Sequence, residues 1–136
     1  MVKPIPDGYH SVTPYLILNT ASEGITFYKK ALGAAEVMRM DDPAGKIHHA
    51  EISIGGSRIM LADEHPEIQA LSPKTIGGSP VSMHLYVEDV DSSVERAVAA
   101  GRNSSVRLRI SFTTTALAGS RTRSAIAGSS QPTRKI

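Results

Sequence analysis

The sequence predicts an α+β fold built from two βαβββ modules, complete in the first half of the chain and incomplete in the second. Three observations predict it. A strand followed by a helix opens the chain and returns 69 residues later, so that Thr13 and Ser82 hold one strand position and Thr20 and Asp89 one strand-to-helix junction. Between the copies, Gly55-Gly56 joins two strand-like runs with a two-residue hairpin signal. After Gly101, where three further strands are due, the composition changes abruptly.

His10 to Leu18 (HSVTPYLIL) reads as a strand, rich in β-branched and aromatic residues. Alternation puts Val12, Pro14, Leu16 and Leu18 on one face and Ser11, Thr13, Tyr15 and Ile17 on the other. Thr20 and Glu23 have the spacing of a capping box, with hydroxyl and carboxylate satisfying the first helical N–H groups. Behind them Ala21, Ile25, Tyr28 and Leu32 form one helical stripe, and Gly33 supplies the stop. Glu36–Asp41, Ile47–Ile54 and Arg58–Asp63 follow as strands, the first two separated by the turn residues Asp42-Pro43-Ala44-Gly45. Residues 1–63 are thus a first βαβββ module, and residues 64–80, with three prolines and a Gly-Gly pair, a connector. Residues 81–101 begin the second module. Val81–Val87 is a strand, Asp89 or Asp91 caps a helix striped by Val90, Val94, Ala97 and Val98, and Gly101 ends it.

With 136 residues and 40% hydrophobic content the chain can bury a core, and with no cysteine it excludes disulfides, thiolate metal sites and a cysteine nucleophile. No apolar run approaches the roughly 18 residues of a membrane span. The start, MVKPIPDGYH, has no signal-peptide apolar region, so a cytoplasmic protein without membrane contact is expected. The net charge of +2 hides a split: residues 1–100 carry eight basic against thirteen acidic residues, while residues 101–136 carry seven basic and no acidic ones. Residues 102–136 read as a basic Ser/Thr/Arg-rich tail without clear strand alternation, expected to be poorly ordered. Such a tail can neutralise phosphates, but Phe112 is its one aromatic and it holds no recognised motif, so nucleic-acid binding is the weakest functional reading.

The phrases VTPYLIL (12–18), ITFYKKALGA (25–34), KIHHAEISIGGSRIMLADEHPE (46–67) and GGSPVSMHLYVEDVD (77–91) resemble the vicinal oxygen chelate superfamily of glyoxalases, bleomycin-resistance proteins and dioxygenases, most closely its PhnB-like branch. The resemblance covers about residues 5–101. It implies glyoxalase-like paired βαβββ modules, a cleft for a small polar molecule and a homodimer. Its functional expectation is lyase or isomerase chemistry, acid–base or metal-assisted; the alternative is drug sequestration of the bleomycin-resistance kind, without turnover. Members of the family end in a DP-x-G-H-x-W phrase that this tail lacks. Codons exist for the tail such that one base inserted after the Gly101 codon yields GAKFVRPFEDQFYDDRTG and, carried onward, DPIGHRW. A one-base deletion at codon 102 explains both the lost phrase and the charge of the tail.

Metal-using members of the family hold an ion with a His on the first strand, a Glu on the fourth, a His on the fifth and a Glu on the last. Thr13 and Ser82 stand where the two histidines would be, so that ligand set is not matched. His10 falls on the other strand face. By strand parity Tyr15 shares a face with Thr13, His84 and Tyr86 share one with Ser82, and His49 shares one with Glu51, opposite Ala50, Ile52 and Ile54. His49, Glu51 and His84 are therefore the candidates for acid–base catalysis or, with Asp63, for a divalent metal. Thr13, Tyr15, Asp63, Ser82 and Tyr86 are the candidates for substrate binding. His49 and Glu51 can equally form a structural pair lining a wet cleft. His48 and His65 read as solvent-facing, and Met38, Met40, Met60 and Met83 as core or cleft-wall fillers. The coding DNA across codons 98–106 is expected to lack one base relative to the longer frame; an undisturbed frame there removes the deletion account.

Overall fold

The computed structural model describes residues 3–101, 108–116 and 119–127. Its elements in chain order are β1 (Tyr15–Leu18), α1 (Ala21–Leu32), β2 (Ala35–Asp41), β3 (Ile47–Ile54), β4 (Ser57–Asp63), a 3-10 turn (Pro66–Ile68), α2 (Pro73–Ile76), β5 (Met83–Tyr86), α3 (Val90–Gly101), β6 (Leu108–Ala116) and β7 (Gly119–Ala127).

The first module forms as its alternation requires. Four strands lie in the order β1-β4-β3-β2, with β1 parallel to β4 and the other pairs antiparallel. Ala50, Ile52, Ile59, Leu61 and Leu18 are buried on the face covered by α1, whose Ala21, Ile25 and Tyr28 point back at them. The strand starts at Tyr15 rather than His10 because Pro14 has no N–H for the ladder; its carbonyl still accepts from the Met60 amide at 2.9 Å. Gly55, at φ 57°, makes the tight β3–β4 turn that the Gly-Gly pair announces.

The start of α1 is held differently from the capping box. Thr20 has an extended backbone at the N-cap, but its hydroxyl makes no capping bond. Asp63, at the end of β4, supplies the acceptor. Its Oδ1 accepts from the Ala21 amide at 2.8 Å, and its Oδ2 accepts from the Ile47 amide at 2.7 Å. One carboxylate thus caps a helix with its negative charge at the N-terminus and also fixes the first residue of β3. In the second module Asp89 caps α3 locally, accepting from Ser92 N at 3.2 Å.

Part of the expected tail forms strands. β5 pairs in parallel with β6, and β6 pairs antiparallel with β7, giving a three-stranded sheet in which residues 108–127 supply two strands. The physical reason is visible in LRISFTTTA, where Ile110 and Phe112 alternate with Ser111 and Thr113 and the threonines are β-branched. Ile110 and Phe112 are each only 1% exposed. Among the described residues the second module is one strand short of βαβββ, and positions 102–107, 117–118 and 128–136 of the expected tail lie outside them.

The two modules share one core. Buried residues of α1 and β3–β4 form a single cluster with Val90, Val94, Ala97, Ile110 and Phe112. Arg96 Nε of α3 donates to the Lys30 carbonyl of α1 at 2.7 Å, and Arg123 pairs with Asp91 at 2.7 Å. Because α1 and α3 pack on the core-bearing faces, the opposite faces of both sheets look away from these two helices. Among the described residues no helix is long and apolar enough to cross a membrane. Replacing Asp63 with Ala leaves two backbone amides without their acceptor. It is expected to cost about 2 kcal/mol in urea denaturation, and a loss within about 0.5 kcal/mol would show that water substitutes for the carboxylate.

Candidate functional site

The register explains which side chains reach the helix-free face of the first sheet. Tyr15 of β1 lies beside Met60 of β4, which lies beside Glu51 of β3, which lies beside Met38 of β2. His49 is two residues before Glu51 and shares that face, as does Arg58, two residues before Met60. Parity therefore assembles a polar group on strands whose other face is core.

These side chains form a continuous hydrogen-bonded chain. Tyr9 Oη donates to Glu51 Oε2, Glu51 Oε1 lies 3.2 Å from His49 Nε2, and His49 Nδ1 lies 2.8 Å from Tyr15 Oη. An ionised carboxylate only accepts, so Nε2 carries the ring proton of neutral His49 and Nδ1 accepts from the Tyr15 hydroxyl. The Tyr9 hydrogen bond, aided by His49, holds the Glu51 carboxyl below its ordinary value of 4.5 against the opposing effect of burial. The same bond to Glu51 raises the Tyr9 phenol. Burial, then the charge of Glu51, raises Tyr15. The chain thus has an ionised carboxylate at Glu51 and a phenolic proton at each end. Tyr15, 48% exposed, is the more open end, and Tyr9 is half-buried.

Sequence reasoning missed Tyr9 and Arg58. Arg58 stands on the correct parity of β4, and counting back from Met60 finds it. Tyr9 precedes the first strand and is brought over Glu51 by a turn in which its amide donates to the Pro6 carbonyl at 3.1 Å, a placement no local periodicity encodes. Arg58 stacks over the Tyr9 ring at 5.6 Å. Gly8, at φ 85°, allows that approach, since a Cβ there would lie 3.1 Å from Arg58 Nη2.

The other candidates lie elsewhere. His84 and Tyr86 sit on the helix-free face of the second sheet, their rings 5.3 Å apart and edge-on. His84 Nε2 lies 2.7 Å from Thr113 Oγ1, which lies 2.9 Å from Thr122 Oγ1. Thr13 and Ser82, each just before the first strand of its module, line one cleft of about 720 Å³ together with His84, Tyr86 and Arg58. Asp63 belongs to the helix side of β4, and both its oxygens accept from backbone amides. Exposed His48 stacks on His65 at 5.4 Å and lies 3.4 Å from Asp42, whose carboxyl is lowered chiefly by the Lys46 amide.

This distribution bears on the divalent metal considered above. Among the described residues no group of three or more His, Asp or Glu is arranged to hold an ion. His49 and Glu51 face each other, Asp63 is engaged on the far side of its strand, and His84 is on the other sheet. The donor set among the described residues does not fit a metal.

Glu51 makes stability depend on acid. A carboxyl lowered by folding contributes stability above 4.5 that is lost as pH falls through the lowered value. Tyr9→Phe removes the largest cause, so Glu51 is expected to titrate nearer its ordinary value in carboxyl NMR. The loss of stability between about pH 5 and pH 2 is then smaller than in the wild type. An unchanged Glu51 titration would show that Tyr9 does not set it.

The comparisons with known proteins agree with this architecture. The chain is 39% identical over 94 residues to the uncharacterized protein Mb0911c of Mycobacterium bovis; the match covers 67% of this chain and 62% of that protein, less than two thirds of its length. A gene product of Arabidopsis thaliana superposes with a TM-score of 0.57 at 23% identity, over 74% of this chain and 76% of that one. A PhnB protein of Bacillus cereus superposes with a TM-score of 0.51 at 16% identity, over 68% and 73% of the two chains. Both structures share the fold. Residues 10–118 match the sequence pattern of one family, and the chain belongs to the Glyoxalase/Bleomycin resistance protein/Dioxygenase superfamily.

Proposed function

We propose that this protein binds a small polar molecule on the helix-free face of its first sheet and moves a proton on it, as a lyase or isomerase of the acid–base type. The observation that carries this reading is the Glu51–His49–Tyr15 chain. Glu51 orients His49 and stabilises the imidazolium that forms when His49 takes the Tyr15 proton. Tyr15, now a phenolate, is then the group that touches substrate: it takes the proton of a carbon beside a carbonyl, leaving the enolate, and returns that proton to the product, after which His49 gives its own proton back to Tyr15. Tyr9 is a positioning residue, because it keeps Glu51 ionised and fixes one carboxylate oxygen. Thr13, Ser82 and Tyr86 are proposed to contact the bound molecule from the cleft between the modules.

A second reading, sequestration without turnover, is supported by that cleft, whose walls include Leu16, Ile54, Met83 and Leu85. Proton exchange separates the two. In deuterium oxide, a panel of small carbonyl and hydroxycarbonyl compounds is followed by NMR for loss of carbon-bound protons. The acid–base reading expects catalysed exchange for at least one compound, with the rate falling about 100-fold in Tyr15→Phe and His49→Gln. Ligand-dependent rises in melting temperature with no exchange above background would leave sequestration.

A further inference from the structure

The cleft between the modules has a chemistry that the hydrogen-bonded chain does not use. It runs along the seam between β1 and β5, the first strands of two sheets that are not hydrogen-bonded to each other. Its volume, about 720 Å³, is that of a site for a drug-sized molecule. Leu16, Leu32, Ile54, Met83, Leu85 and Val87 line it; all six pack against the core yet keep part of their surface open. At its mouth Val12 and Val81 are 85% and 65% exposed.

The charge of the lining has one sign. The first hundred residues are acidic in balance, but no Asp or Glu lines the cleft, whereas Arg58, His10 and His84 do. Arg58 makes no close ion pair among the described residues; it stacks on the face of Tyr9, and its charge reaches Glu51 only at longer range, as the last of the effects that lower that carboxyl. A guanidinium carries five N–H donors in a fork suited to a carboxylate, and among the described residues those of Arg58 make no hydrogen bond beside the apolar groove. From this pairing we infer that the seam binds an amphipathic organic anion, with its apolar body between β1 and β5 and its carboxylate on Arg58. The inference goes beyond the proton-transfer reading, and either can fail without the other.

Decanoate is the probe, and decanol the control of equal length without charge. Calorimetric titration of the full chain is expected to show decanoate binding at least about tenfold more tightly than decanol. Arg58→Gln should weaken decanoate about tenfold, leave decanol unchanged and preserve the circular dichroism melt. Lys74→Gln, on the connector, should change neither. A measurement independent of any variant is the methionine methyl spectrum, in which decanoate should shift the Met83 signal and spare Met38 and Met40 on the other face. The inference is overturned if decanoate and decanol bind alike, if Arg58→Gln leaves decanoate unchanged, or if the shifts fall on Met38 and Met40. It is also overturned if nothing binds at about 1 mM, including the case in which light scattering finds a dimer whose second copy occupies the seam. Decanoate offers the Tyr15–His49 chain no acidic proton, so its binding reads the cleft alone and the exchange assay reads the proton chain alone.

Discussion

Asp63 is the constraint on which the first module turns. It ends β4, lies opposite Leu18 at the end of β1, caps α1 through Ala21 and anchors β3 through Ile47. Four elements thus meet on one side chain whose two oxygens are both spoken for. The parallel pairing of β1 with β4 brings the end of β4 to the start of α1, and the same pairing places Tyr15 in one row with Met60 and Glu51. The geometry of the polar face is therefore a by-product of how the opposite, buried face is closed. A slip of β3 by one residue would exchange His49 and Glu51 for Ala50 and Ile52, and burial of two ionisable groups makes that slip costly.

Much of this was legible in the residues, and for stated reasons. The strands of the first module alternate because one face packs on α1, so parity alone separates His49 and Glu51 from Ala50 and Ile52. The Gly55 turn and the Asp89 cap are local signals and appear where local chemistry puts them. The capping role of Asp63 is not legible, because a carboxylate that caps a helix 42 residues away leaves no mark in its own neighbourhood. Tyr9 was invisible for the same reason. In the tail, composition outweighed pattern. Arginine and serine suggested disorder, while the alternation at Ile110 and Phe112 sufficed to build a strand against a ready edge.

The helix-free side is divided in a way that matters for function. On the first sheet a hydrogen-bonded chain is centred on Glu51 and His49; on the second, His84 is bonded to the uncharged Thr113 hydroxyl, which is bonded in turn to Thr122. The seam between them is apolar. The hydrogen-bonded chain and the seam thus draw on opposite faces of the first sheet, since Leu16 and Ile54 of the seam share the parity of the buried Leu61 and Ile52, while the hydroxyl cluster lies on the second sheet. Arg58 joins the first two, because it borders the seam and stacks on the tyrosine that holds Glu51.

Tyr28 carries a consequence of another kind. Its ring is wholly buried at the centre of α1, its hydroxyl has no hydrogen-bond partner among the described residues, and burial pushes its ionisation far above the ordinary tyrosine range. The chain has four tyrosines and no tryptophan, so phenols are its only strong near-ultraviolet chromophores. Three of them are reached by solvent in the folded molecule and one is not. The phenolate absorbance of Tyr28 is thereby locked behind the core, and the protein carries its own optical marker for the opening of its interior.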